Sequence, residues 1–169
     1  MRNNPLGYLT TTMVRSYDCP KKYFYEYVEG WRPLRPSANL VFGSIVHESI
    51  AEGLSNGHLT KDLFIEKWKK VEELIYSRSD THQSLEGIGL SLISKLEKTP
   101  VYRRAVAVEK AYQVELADGT IFKGKIDIIY NDGRENVVLD WKTSSRSFLD
   151  SRPELDDQLT AYSMLAGIP

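Results

Sequence analysis

The chain has 169 residues, 41% of them hydrophobic and 27% charged, which fits one globular domain, residues 1–169, able to bury a core. Lys and Arg total 22 against 23 for Asp and Glu; the formal charge of -1 excludes a broad basic surface that coats nucleic acid, but not a small phosphate site built around a metal. A single cysteine, Cys19, excludes an intramolecular disulfide, and with neither a leader-like segment nor a run of about 18 apolar residues the expected compartment is the cytoplasm, with no membrane partner.

Residues 10–28, TTTMVRSYDCPKKYFYEYV, carry Met13, Val14, Tyr17, Phe24, Tyr25 and Val28 at roughly helical spacing behind Thr10, a candidate N-cap, and Pro20 divides them into two short helices. Pro33 and Pro36 then mark a loop. Val41, Ile45, Ile50 and Leu54 define the apolar face of a second helix, stopped at Asn56-Gly57, with His47 near its middle. Amphipathic helices are predicted over 59–78 and 82–99, the latter ended by Pro100. From Arg104 the chain turns rich in Val, Ile and Tyr and is broken by Asp-Gly at 118–119 and 132–133, which predicts three strands in two hairpins. A last helix, starting after Pro153, places Leu155, Leu159, Tyr162 and Leu165 on one stripe.

The stretch VVLDWKT ends the third strand. Alternation puts Val138, Asp140 and Lys142 on one face and Val137, Leu139 and Trp141 on the other. Taken alone, the acid and base are equally well a surface ion pair or a site. Asp127, set between Ile126 and Ile128 in the preceding strand, tips the balance, because a carboxylate in a buried run needs a partner. Hairpin pairing can bring Asp127 and Asp140 face to face, where they repel unless a cation lies between them. Hard divalent ions favour such oxygens and keep waters, and a lysine beside one can orient a water or offset charge on a phosphate.

Gly124 and Asp127 (G-x-x-D), Asp140 and Lys142 (D-x-K), Gln158 and Tyr162 (Q-x-x-x-Y), and the upstream Gly43 and His47 (G-x-x-x-H) together resemble the PD-(D/E)XK nuclease superfamily. The closest match is its RecB-like branch, with the AddA and AddB nuclease domains, phage exonucleases and CRISPR adaptation nucleases; SYDCPKKYFYEYV is similar to that branch's opening helix. The resemblance implies an α/β, restriction-endonuclease-like fold with a central mixed sheet flanked by helices and a helical N-terminal region. It implies Mg²⁺ or Mn²⁺ held by His47, Asp127, Asp140 and the backbone carbonyl of Trp141, with Lys142 catalytic. Gln158 and Tyr162, one helical turn apart, would contact the DNA backbone or support the metal shell, and Glu109 lies where the family often has a further acid. The implied activity is hydrolysis of DNA by metal-activated water, commonly exonucleolytic, on single strands or duplex ends. The implied settings are DNA repair, recombination, phage DNA metabolism or CRISPR adaptation, with a helicase or other DNA-processing protein delivering the substrate. Some RecB-like members carry an iron–sulfur cluster, which needs four ligands; with Cys19 alone none is expected in this chain. The family usually adds another strand after the Gln-Tyr helix, so truncation at Pro169 is one reading and membership among the cluster-free relatives the other.

The rival from another class is a catalytically retired nuclease-fold module that binds DNA or a helicase; the intact His47, Asp127, Asp140 and Lys142 set speaks against it. A structural Ca²⁺ site would leave Lys142 without a role. His58 and His82 read as solvent-facing. Tyr17, Tyr23, Tyr25, Tyr27 and Trp31 suit either core packing, the preferred expectation, or stacking on single-stranded bases beside Lys21 and Lys22 as phosphate contacts.

Overall fold

A computed structural model describes residues 6–77, 79–99, 104–144 and 156–168. Among these, a four-stranded mixed sheet is flanked by helices. The order along the chain is β1 (Tyr8–Leu9), α1 (Thr11–Ser16), α2 (Pro20–Tyr23), a π-helical turn (Phe24–Val28), α3 (Ala38–Ser55), α4 (Lys61–Trp68) and α5 (His82–Leu96). The strands β2 (Ala105–Glu115), β3 (Ile121–Asn131) and β4 (Asn136–Leu139) follow, then α6 (Asp157–Ala166). The two predicted hairpins are present, each turning through an Asp-Gly pair whose glycine has φ near +81° (Gly119) or +108° (Gly133). Pro100, Pro153 and Leu155, assigned from sequence to helix boundaries and to the last stripe, lie outside the described residues.

The central strand is β3. On one edge it pairs antiparallel with β2 from Tyr130↔Ala105 to Ile121↔Glu115. Its other edge is shared: β1 takes Ile121 and Phe122 in parallel, and β4 takes Ile128 to Asn131 antiparallel. Residues 123–127 of β3 therefore have no described strand on that edge. The short β1, two residues long, carries too little pattern to be read from sequence.

Helix α3 lays Phe42, Ile45, Val46 and Ile50 against Phe64 and Trp68 of α4, Leu85 and Ile93 of α5, and Ile128 of β3. The far side of the sheet packs Ile126, Ile129 and Val138 against Tyr162 and Leu165 of α6. Leu9, Met13 and Phe122 form a third cluster with Tyr23 and Tyr27. The close approach of α6 depends on Gly124, where a Cβ would lie 2.6 Å from Leu165 Cδ1 and 3.1 Å from Tyr162.

The structure departs from several sequence-based expectations. The helix predicted over 59–78 ends at Trp68: the chain beyond runs through Glu73 at φ 56° into a bridge between Ile75 and Ser37, made by Ile75 N–H to Pro36 O (3.0 Å) and Ala38 N–H to Ile75 O (2.9 Å). His82 is not solvent-facing; it stacks on Trp68 at 4.7 Å, with its Nδ1 3.0 Å from the Tyr76 hydroxyl. The aromatic group divides, since Tyr23 and Tyr27 pack inward whereas Tyr17 and Trp31 are exposed. The third strand stops at Leu139, so Asp140 and Lys142 stand just beyond the ladder. Among the described residues no helix is long and apolar enough to cross a membrane.

Gly124→Val forces α6 off the sheet and should cost about 1–3 kcal/mol in a guanidinium unfolding titration, the usual range for overpacking. A change under about 0.5 kcal/mol would show that α6 yields without penalty.

Candidate active site

Asp127 is 9% exposed, in a strand whose neighbours Ile126, Ile128 and Ile129 are buried. An unpaired carboxylate there would be costly, and three elements supply its partners. From α3, His47 Nδ1 lies 3.3 Å from Asp127 Oδ2. From the chain after β4, the Trp141 N–H donates to the same oxygen at 2.8 Å. From β2, Glu109 brings its carboxylate close enough that one ligand atom from each of His47, Glu109 and Asp127 lies within 4.8 Å of the others.

Local backbone explains this meeting. The registers Val108↔Ile128 and Lys110↔Ile126 put Glu109 opposite Asp127, and Glu109 has φ 49°, the left-handed region that residues with a Cβ rarely adopt. Facing alternation breaks at the same level: Ile126 and Ile129 pack toward α6, while Ile128 packs toward α3. Strain of this kind persists where surroundings over-determine it and points to a functional constraint. Glu109 also holds the Lys125 ammonium in a short ion pair, which raises the Lys125 pKa, chiefly through that hydrogen bond.

Beyond β4 the predicted alternation continues. Leu139 and Trp141 pack with the α3 core, and Asp140 and Lys142 turn to the α6 side with Val138. Asp140 and Lys142 form a short ion pair, the acid with a side chain only 6% exposed. Gln158 joins the group: its Nε2 donates to Asp140 Oδ1 (3.0 Å) and to the Tyr162 hydroxyl (2.8 Å), and its Oε1 accepts from Lys142 Nζ (2.8 Å). Asp156 fixes where that helix starts, accepting from Gln158 N–H (2.8 Å) and Leu159 N–H (3.1 Å) and pairing with Arg15 at 3.1 Å. Gly43 lets α3 come against the same stretch of chain, because a Cβ there would lie 2.9 Å from Thr143 Oγ1.

The sequence-predicted residues thus fall into two adjoining groups. His47 and Asp127 meet with Glu109; Asp140, Lys142, Gln158 and Tyr162 meet around the amide of Gln158; the Trp141 N–H to Asp127 contact joins them. The family resemblance implies the carbonyl of Trp141 as a ligand, whereas the group that ties this residue to the site is its N–H. Lys125 and Asp156 are additions that the sequence reading does not contain. An acid before a helix is the N-cap signal that marks Asp156, whereas nothing in the sequence announces the Lys125 pairing.

Electrostatics favour a cation. Asp140 has its pKa raised by burial, against the opposing pull of Lys142, and Asp127 adds to the rise. His47 is raised by its hydrogen bond with Asp127, against burial. Burial also raises the Tyr162 hydroxyl. An imidazole and two carboxylates converging beside a third, buried carboxylate form a donor set suited to a hard divalent cation that keeps waters in its remaining positions.

A family model of the PD-(D/E)XK nuclease superfamily matches residues 11–167. No curated protein and no solved structure matches the chain.

His47 gains a partner in the folded protein, so the stability it contributes is complete below its unfolded pKa of 6.5 and disappears as pH rises through the raised folded value. In EDTA, urea midpoints measured between about pH 5 and 9 should fall across that window for wild type and stay flatter for His47→Gln. Parallel curves would mean that the pair contributes nothing.

Proposed function

Because this chain belongs to the PD-(D/E)XK nuclease superfamily, we propose that it is a metal-dependent deoxyribonuclease of the RecB-like type, acting as an exonuclease on phosphodiester bonds near DNA ends. The observation that carries the reading is the Asp140–Lys142 pair, clamped by Gln158 and joined to Asp127 through the Trp141 amide. An ion pair of no consequence to function would not need a buried acid, a bridging amide and a second carboxylate fixed by the intervening residue.

In this proposal His47, Asp127 and Glu109 hold Mg²⁺ or Mn²⁺, with Asp140 at the side facing Lys142. When bound, the ion supplies Lewis acidity toward a phosphate oxygen and eases ionisation of water. Lys142, 39% exposed at its side chain, presents Nζ to the reacting phosphate, where its charge offsets the negative charge that develops in the transition state. Gln158 holds that amine with Oε1 while its Nε2 keeps Asp140 turned toward the site. Tyr162, accepting from Gln158, keeps its own hydroxyl hydrogen for a further acceptor such as substrate oxygen. A helicase or other DNA-processing partner that delivers ends compensates for the lack of general basic surface.

Incubation with end-labelled single- and double-stranded DNA tests this. Wild type should degrade DNA in Mg²⁺ or Mn²⁺ and not in EDTA, and Asp127→Asn and Lys142→Ala should each lose at least about 10²-fold. If wild type and both variants leave DNA equally intact in either metal, the enzyme proposal fails.

Gln158→Leu separates clamp from ligand. It should lower kcat by about 10- to 100-fold, the usual effect of removing an outer-shell partner, with DNA affinity near wild type. An unchanged kcat would show that Lys142 and Asp140 do not depend on Gln158.

A further inference from the structure

An open groove of about 720 Å³ begins beside β1 and ends at Asp127 and Tyr162. One wall is the start of α1, residues 10–12; the floor is β2 and β3. Tyr8, Tyr112, Gln113 and Lys123 line its outer part. Two kinds of cation stand near the site: those held by carboxylates, and Lys123 and Lys110, which rest on tyrosine rings, Lys110 at 5.2 Å from the centre of the Tyr112 ring. Lys125 is held by Glu109, Lys142 by Asp140 and Arg15 by Asp156, but among the described residues no carboxylate pairs with Lys123, whose ammonium lies 4.5 Å from the centre of the Tyr8 ring. A positive group resting on a ring face, in a groove leading to acids, is placed to meet an anion.

We propose that this groove holds the strand to be cut, separated from its complement, with one of its phosphates on Lys123 and its sugars and bases against Tyr8 and Tyr112. The inference rests on the nuclease proposal above and names its substrate form. The volume lies within the range of about 300–1,000 Å³ typical of small-ligand pockets, room for a short stretch of one strand. Four residues of strand separate Lys123 from Asp127, roughly 13 Å at the rise of a β-strand. At the roughly 3.4 Å per phosphate of stacked DNA, Lys123 meets the strand about four nucleotides from the cut, and fewer where the strand is extended.

Fluorescence anisotropy with labelled single-stranded and blunt duplex DNA in Ca²⁺, over a salt series, tests the groove on the full chain. Lys123→Glu should weaken single-strand binding by about tenfold or more and reduce the salt slope by about 0.7 for each phosphate that is no longer neutralised. Lys123→Arg should bind as wild type does, and Lys61→Glu, the same charge change at an exposed position of α4, should have no effect. Lys123→Gln gives a smaller effect and serves if the glutamate variant does not fold, as judged by thermal melting. Binding of Lys123→Glu within about twofold of wild type, or a weakening confined to duplex, overturns the groove assignment while leaving the nuclease proposal intact if wild type still cleaves. A wild type that neither binds nor cleaves DNA overturns both.

Discussion

A carboxylate in the middle of a buried strand is the constraint around which the rest is arranged. Asp127 cannot be left unpaired between Ile126 and Ile128, and its two hydrogen-bonding partners arrive from opposite directions in the sequence. His47 comes from a helix far upstream, positioned by the hydrophobic face that seats α3 on α4 and α5. The Trp141 N–H comes from the chain just after the next strand. Both can reach one oxygen only if α3 lies close over the end of β4, and the bare Cα of Gly43 permits that approach at Thr143. The helix spacing from Gly43 to His47 is one turn, so the close approach and the imidazole share a face.

Helix α6 meets the same constraint from the other side of the sheet. Its inner end is fixed by the Asp156 cap and the Arg15 ion pair, its middle by the absence of a Cβ at Gly124. Between these anchors Gln158 stands where a single amide reaches an acid, an amine and a phenol at once. A shorter or apolar residue there would leave Asp140 buried with Lys142 alone, and the flexible lysine would lose the hydrogen bond that holds it in place. The acid–base pair thus acquires a defined orientation from hydrogen bonds, not from Coulomb attraction, which is weak for a partly solvated lysine.

The parts legible in the sequence are those governed by local period. Alternation sets the turn of Asp140 and Lys142 toward α6 and of Leu139 and Trp141 toward α3, and helical spacing puts Gln158 beside Tyr162. Asp-Gly pairs locate both hairpins. The less legible parts depend on non-local backbone. The weight on Glu109 cannot be known from its place in a Val-rich run, because its approach to Asp127 follows from a left-handed residue inside β2 and a change of facing in β3. Nor can the end of α4 be read from composition, since Val71, Leu74 and Tyr76 are apolar enough to continue a helix; a bridge to Ser37 and the turn at Glu73 redirect them. His82 reads wrongly as solvent-facing because its partner Trp68 lies in another helix.

The sheet itself explains why these groups converge at one place. A central strand normally has a neighbour on each side, and its backbone N–H and C=O groups are then paired along its length. Here β1 pairs no further than Phe122 and the ladder with β4 spans Ile128 to Asn131, so that residues 123–127 of β3 have β2 on one edge and no described strand on the other. That interruption leaves room for Trp141 to reach Asp127 with its N–H, which a continuing ladder would have directed to a backbone carbonyl. It also leaves the groove continuous from Lys123 to Asp127 instead of being bridged by a strand. Extending either flanking strand by a few residues would satisfy more backbone and bury more surface, while closing the opening beside the acids. The shortness of β1 and β4 is therefore best understood as part of the site, in the same sense as the carboxylates it leaves open.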